Sequence, residues 1–276
     1  MLIIKEVMMI PSCDTIILSD LHLGSEVSRA RDALRLLKHS SFERLILLGD
    51  IFCDLNFGRL KRDHWRLLSY IRKLSNPKRG IEVVWVEGNH DHGLSLVMSH
   101  LVGIKVYQQY VWEYGGKRHL AIHGHQFDRF LTDNAFLGSL ASAAFLVIQK
   151  LDFHQQRLVQ LIDRLDTRWR RHSPKVAAGA LAHARVHNAQ RVFCGHTHLA
   201  MQWAEDGIEY FNTGCWIQTA ATYITVDEQG VQIHEYEQRS DDYYPGEERG
   251  DPAAEAADFP DGAGLLGDAE YEGVCS

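Results

Sequence analysis

Short apolar runs recur along the chain, and each one ends in glycine or in a polar side chain. The clearest runs cover residues 15–18, 44–48, 81–86, 119–122 and 191–194. Their length and their β-branched content predict buried strands. Apolar residues at helical spacing in 28–39 and 65–74 predict crossover helices between the first strands. Alternating residues at 208–211, 221–226 and 232–236 predict meander strands. Together the pattern predicts an α/β fold.

The loops that follow the five buried runs carry the same kinds of side chain. In chain order they are Asp20-Leu21-His22, Gly49-Asp50, Gly88-Asn89-His90-Asp91, His123-Gly124-His125 and Gly195-His196-Thr197-His198. Open α/β sheets place their chemistry at the carboxyl edge, so we expect these side chains to meet there. Carboxylate oxygens and imidazole nitrogens suit Mn, Fe or Zn. One such loop is usually a turn or a packed histidine, but five in succession indicate a metal centre.

With these motifs the chain closely resembles the calcineurin-like metallophosphoesterases over roughly residues 14–236. The resemblance implies a four-layer α/β/β/α sandwich and two divalent metal ions, for which we expect Mn²⁺. It assigns one ion to Asp20, His22, Asp50 and His198, and the other to Asp50, Asn89, His123 and His196. Two ions clamp the attacking and leaving oxygens of a phosphoryl displacement. Because every ligand position is filled, the chain is expected to be an enzyme and not a scaffold.

The resemblance also assigns roles beside the metal ligands. His90 is expected to face the phosphate and to protonate or stabilise the leaving oxygen, and Asp91 is expected to orient His90. His125 and Asp54 are candidates for contacts behind the ligands. The alternative for both is a packing or solvent-facing residue.

Within the superfamily the chain is most similar to the UDP-2,3-diacylglucosamine diphosphatases, which release UMP and a lipid phosphate. The size, the motif Leu18-Ser19-Asp20-Leu21-His22-Leu23 and a helical insertion at about 126–190 fit that subgroup. His90 stands where the subgroup has arginine, and His125 stands where it has aspartate. The alternative is therefore a phosphodiesterase acting on another nucleotide-lipid or on a small phosphodiester.

The insertion contains the residues that we expect to meet the substrate. Residues 135–148 are apolar nearly all round but too short to span a bilayer. The next helix repeats a basic residue every seven positions, and Arg157 belongs to this stripe. We expect a lid in which Leu137 and Phe145 receive acyl chains while Arg157 meets the diphosphate or anionic headgroups. The alternative is an ordinary helical hairpin packed on itself.

Charge and cysteine content bound the remaining possibilities. The net charge is −7, yet residues 241–276 hold eleven acids and one base, so the domain at 1–240 is mildly basic. The acidic stretch has no apolar period, which predicts a disordered tail. A basic body suits an anionic substrate or membrane surface, although so small a charge can also be without meaning. Five cysteines without a C-x-x-C pair favour a reducing cytoplasm. The nucleotide-lipid substrate that the resemblance implies would bring the protein into peripheral contact with the inner membrane. The N-terminal half has no basic run with interleaved aromatics, and the acidic tail would repel a polyanion, so we expect no nucleic-acid partner.

Overall fold

The computed structural model describes residues 12–94, 103–128, 167–217 and 220–237, and the structural statements below concern these residues. Three α-helices are described: α1 (Ala30–His39), α2 (Arg62–Leu74) and α3 (Thr167–Val186). The described strands are β1 (Cys13–Leu18), β2 (Phe42–Leu48), β3 (Glu82–Val86), β4 (Val106–Tyr107), β5 (Gln109–Tyr114), β6 (Lys117–Ile122), β7 (Arg191–Cys194), β8 (Met201–Glu205), β9 (Ile208–Asn212), β10 (Thr222–Asp227) and β11 (Gly230–Glu235).

The strands form two sheets that each contain a parallel centre. The first sheet has the order β11-β10-β1-β2-β3-β4, with β1 to β4 parallel and β10 antiparallel to β1. The second has the order β5-β6-β7-β9-β8, with β6, β7 and β9 parallel. Parallel neighbours need crossover connections, which α1 and α2 provide between β1, β2 and β3. The carboxyl ends of the predicted buried strands therefore share one edge in each sheet.

Successive residues of the buried strands face different cores. Ile16 and Leu18 pack with α1 and α2 on the outer side of the first sheet. Ile17, between them, packs toward the second sheet. A third core lies between the second sheet and α3. The two sheets and the helices on their outer faces thus give the expected four-layer α/β/β/α sandwich, and the continuous apolar runs reflect strands that are buried on both faces.

Helix α3 provides the fourth layer. Val176, Ala180, Leu181 and Ala184 of this helix are buried, and most of its buried face packs on the second sheet. The insertion predicted for 126–190 therefore ends in a layer of the sandwich, and only its preceding part can form a lid. Most of that part (129–166), with Leu137, Phe145 and Arg157, and the acidic tail from 241 lie outside the described residues. Within the described ranges, no helix has the length and apolar character needed to cross a membrane.

The predicted meander of the last three strands is wrong. Strand β9 belongs to the second sheet, where it pairs with β7 and β8, whereas β10 and β11 form a hairpin in the first sheet. Alternation shows that a strand is half-buried, but it does not specify the sheet to which the strand belongs.

His119 is a buried histidine of the core between Trp112 and Phe193. Its ring stacks on these two side chains at centroid distances of 4.9 and 5.8 Å. Nδ1 donates to the carbonyl oxygen of Lys117 at 3.0 Å, which leaves Nε2 to accept from Arg191 at 3.4 Å. Burial, reinforced by the Arg191 guanidinium, lowers the pKa of His119 from 6.5 to about 4.

This neutral histidine predicts a loss of stability in mild acid. Between pH 6.5 and about 4 the unfolded chain binds a proton at His119 that the folded chain does not bind. The free energy of unfolding should therefore fall as the pH falls through that window. His119→Phe keeps an aromatic ring in the stack and removes the titrating group, so its urea-unfolding free energy should depend less on pH. Equal pH slopes for the two proteins would contradict this assignment.

Candidate metal centre

The predicted ligands stand on loops in which the backbone is bent sharply just after each strand. Asp20, His22, Asp50, His196 and His198 have φ angles of +52°, +45°, +51°, +66° and +52°. Residues with a Cβ rarely adopt this left-handed region, and such strain collects at functional sites. The bends turn the five side chains back toward a common centre.

The first group of side chains consists of Asp20, His22 and His198, whose ligand atoms all lie within 4.8 Å of one another. His198 Nε2 lies 3.2 Å from Asp20 Oδ1 and 3.2 Å from His22 Nε2. The other carboxylate oxygen, Asp20 Oδ2, accepts from the Ser19 hydroxyl and from the backbone N–H of His196. Asp20 is therefore fixed through one oxygen while the other faces the two histidines.

The second group consists of Asp50, His123 and His196, and its ligand atoms also lie within 4.8 Å of one another. His123 Nδ1 donates to the carbonyl oxygen of Leu48 at 2.8 Å, which directs Nε2 toward Asp50 Oδ2 at 3.2 Å. A Cβ at Gly49 would lie 2.3 Å from this imidazole. The glycine of the Gly-Asp motif is therefore required for the close approach of the ring.

Charge coupling holds Asp50 as a carboxylate. Burial would raise its pKa, but the neighbouring His123 and His90 hold the pKa of Asp50 well below its usual value. Burial opposes a charge on His123 as well, yet the Asp50 carboxylate raises the pKa of His123 to about 10. Burial and the nearby His90 lower the pKa of His22 to about 3. A cation at the second group would compete with the proton of His123, whereas His22 offers a neutral imidazole.

Three buried polar atoms of the centre suit a divalent cation. Within the described part of the chain, Asn89 Oδ1 is buried and has no hydrogen-bond partner. Asp20 Oδ1 and His123 Nε2 are also buried, and each faces a neighbouring side chain, His198 and Asp50 respectively, at 3.2 Å without forming a hydrogen bond of normal geometry. Buried polar atoms are normally paired, so each such atom needs an explanation. Oxygen and imidazole donors at this spacing fit Mn, Fe or Zn. Six of the seven predicted ligands lie in the two groups, and the seventh, Asn89, has a buried amide oxygen without a hydrogen-bond partner among the described residues.

The structure gives His90 and Asp91 different partners from those expected. His90 Nδ1 lies 2.8 Å from the carbonyl oxygen of Cys53, and its Nε2 lies 4.0 Å from Asp50 Oδ2. Asp91 accepts from the backbone N–H groups of Gly88, Asp50 and Ile51 and from the indole of Trp85. The prediction that Asp91 orients His90 is therefore wrong, because the Cys53 carbonyl holds the ring. Asp91 instead ties the third loop to the second.

His125 and Asp128 lie beside the ligand groups, whereas Asp54 forms a contact within its own loop. His125 has a buried Nδ1 that no described residue pairs with, and its ring centroid lies 5.5 Å from that of His123. Asp54 pairs with Arg59 within its own loop, which is a structural contact. Asp128 was not a candidate from the sequence, yet its buried carboxylate lies 3.3 Å from His196 Nε2. The sequence offered one hint of this role, namely that Asp128 stands three residues after His125 of the His-Gly-His motif.

Comparison with known proteins agrees with this geometry. The calcineurin-like phosphoesterase superfamily domain matches residues 14–231. The UDP-2,3-diacylglucosamine hydrolases of Neisseria gonorrhoeae and of Neisseria meningitidis serogroup A are each 27% identical over 241 residues, covering 78% of this chain and 94% of each relative. Among solved structures, Vacuolar Protein Sorting 29 from Cryptosporidium parvum covers 83% of this chain and 94% of its own, with 14% identity and a TM-score of 0.45.

Proposed function

Because the chain belongs to the calcineurin-like phosphoesterase superfamily and is a metal-dependent phosphohydrolase, we propose that it hydrolyses the diphosphate of a nucleotide-lipid. The proposed substrate is UDP-2,3-diacylglucosamine or a close analogue, and the products are UMP and a lipid phosphate. The observation that carries the hydrolytic part of this proposal is the presence of two three-residue ligand groups on the loops after the strands.

The two groups support a dinuclear centre. We assign Asp20, His22 and His198 to one ion, Asn89, His123 and His196 to the other, and Asp50 to both. When bound, the ion pair supplies a Lewis-acidic clamp for a phosphoryl oxygen and an activated water. The carboxylates of Asp20 and Asp50 would offset part of the charge of the cations, and the neutral Asn89 amide would limit the charge of the ligand set. We propose Mn²⁺ as the metal because nitrogen and oxygen donors suit it.

His90 is the proposed donor to the leaving oxygen. The Cys53 carbonyl fixes the proton on Nδ1, so Nε2 is the nitrogen that faces Asp50 and the centre. In its cationic form the ring can hold a proton on Nε2 and pass it to the departing phosphate oxygen. Its side chain is 30% exposed, which leaves room for a substrate beside it.

The proposed lipid part of the substrate depends on the relatives and on the sequence of the insertion. The two Neisseria relatives carry the name UDP-2,3-diacylglucosamine hydrolase, and this chain spans nearly their whole length. We propose that the part of the 126–190 insertion that lies between Asp128 and α3 forms a lid, in which the apolar positions Leu137 and Phe145 receive acyl chains and Arg157 meets phosphate. Such a lid would also favour a cytoplasmic enzyme that touches the inner membrane.

His90 and His125 favour the alternative substrate. These two histidines replace the arginine and aspartate of the lipid A enzymes that the chain resembles, and both lie beside the ligand groups. A phosphodiesterase for another nucleotide-lipid or for a small phosphodiester is therefore the second candidate function.

A substrate panel tests the proposal. We expect UDP-2,3-diacylglucosamine to exceed a bis-aryl phosphodiester, a phosphomonoester and single-stranded DNA in kcat/KM by roughly 10²-fold or more, since discrimination of this size needs pocket contacts. Phe145→Asp and Leu137→Asp should raise KM for the diacylated nucleotide and leave KM for the bis-aryl diester unchanged. A preference for the small diester, or equal damage to both substrates, would contradict the lipid assignment. Faster cleavage of DNA would overturn the substrate class.

A further inference from the structure

Asp128 is placed by the segment that follows strand β6. His125 to Phe127 form a short 3₁₀ helix, and the Asp128 N–H closes it by donating to the carbonyl oxygen of His125 at 3.1 Å. Phe127 packs closely on Gly179 of α3, where a Cβ would lie 2.7 Å from the Phe127 Cβ. This packing fixes the segment against α3 and fixes the buried residue that comes next.

The carboxylate of Asp128 points at one particular nitrogen. Asp128 Oδ2 lies 3.3 Å from His196 Nε2, and the two side chains are 6% and 2% exposed. The bond joins the loop after β6 to the loop after β7, across 68 residues of sequence. Because Nε2 donates to Asp128, the lone pair of the ring must lie on Nδ1.

Asp128 itself stands outside the ligand groups. Neither three-residue group includes it, although His196 belongs to the second. The backbone of His196 is fixed separately, since its N–H donates to Asp20 Oδ2 at 3.1 Å. The Asp128 contact therefore restrains the rotation and the tautomer of a ring whose main chain is already fixed.

We propose that Asp128 is a positioning residue that binds His196 Nε2 and so presents Nδ1 to the second metal ion. The inference rests on the proposed dinuclear centre and goes beyond it by naming the group that sets the affinity of one of its two positions. A carboxylate behind a ligating imidazole fixes its tautomer and strengthens it as a donor. Losing such a partner weakens metal binding without removing a ligand.

Metal binding, measured on the full chain, tests this role. Mn²⁺ is titrated calorimetrically into metal-free protein, and bound metal is counted by elemental analysis. In Asp128→Ala, affinity should fall by about 10–100-fold at one of the two positions and stay unchanged at the other. Asp128→Asn keeps an acceptor for Nε2–H and should lose less. His196→Ala sets the limit for loss of a ligand.

Gln126→Ala is the matched control, because Gln126 lies in the same short helix and its side chain accepts from the Gly124 N–H at 3.1 Å, not from a ligand of either group. It should keep both affinities. Wild-type affinities in both Asp128 variants would overturn the proposal, and so would a loss as complete as that in His196→Ala, which would make Asp128 a ligand. If Asp128→Ala does not fold, Asp128→Asn decides. Failure of the wild type to bind two ions would instead contradict the dinuclear function.

Discussion

Replacing Asp50 with alanine is expected to remove both metal ions and to abolish hydrolysis. Asp50 is buried, and its Oδ2 faces His123 at 3.2 Å and His90 at 4.0 Å. Its charge also acts on His22, a member of the other group. Mutation of a residue that only hydrogen-bonds a metal ligand already lowers metal affinity or activity by about 10–100-fold. Loss of the shared carboxylate itself should therefore lower kcat/KM by roughly 10³-fold or more.

The measurement is metal content by elemental analysis together with kcat/KM on a soluble phosphodiester. Wild type should hold two ions per chain, and Asp50→Ala should hold fewer than one after dialysis. Asp50→Asn keeps the shape of the side chain. Its amide oxygen can still accept a hydrogen bond from the backbone N–H of His90, which donates to Asp50 Oδ1 at 2.9 Å in the wild type. Asp50→Asn should therefore fold normally but bind metal weakly, because the charge between the two groups is lost.

Asp14→Asn is the matched control. Asp14 is also a largely buried carboxylate of the first sheet, but it pairs with Arg44 at the start of β1, away from the loops of the centre. Its removal should change stability and leave both ions and the activity in place. One ion per chain in active wild-type protein would show that the centre is mononuclear and that Asp50 does not bridge.

The continuous apolar runs of the sequence predicted the strands that are buried on both faces. In β1, β2 and β3 burial on both sides demands apolar residues at nearly every position, so composition alone reveals them. Strands β5 and β8 were missed because they lie at the edges of the second sheet, where β5 is mostly half-buried and β8 is largely exposed. Exposed edge strands carry mixed sequences that resemble loops.

A similar limit separates the ligands from the groups behind them. Each ligand follows a strand directly, so its position can be read from the strand pattern. The contacts of Asp91 with the second loop and of Asp128 with His196 join segments that lie about 40 and 68 residues apart. The spacing of residues along the chain does not predict such long-range contacts. The Cys53 carbonyl that holds His90 is a backbone group. Every residue type could supply it equally well, so the sequence does not reveal it.

Replacing His90 is expected to slow the chemical step while the metal ions stay bound. His90 belongs to neither ligand group, and its Nδ1 is held by Cys53. If Nε2 gives its proton to the leaving oxygen, His90→Ala should lower kcat by roughly 10²–10⁴-fold. The loss should shrink for a substrate that releases nitrophenolate, because a good leaving group needs little protonation.

The neighbouring His92 provides the control on the same loop. Its side chain is 73% exposed and pairs with Glu87, so His92→Ala should retain kcat and both ions. His90→Asn can keep the bond to the Cys53 carbonyl through its amide, but it has no nitrogen in the place of Nε2. It should therefore show the same dependence on the leaving group as His90→Ala. If both His90 variants lose activity equally for good and poor leaving groups, His90 binds the phosphate and does not act as the acid.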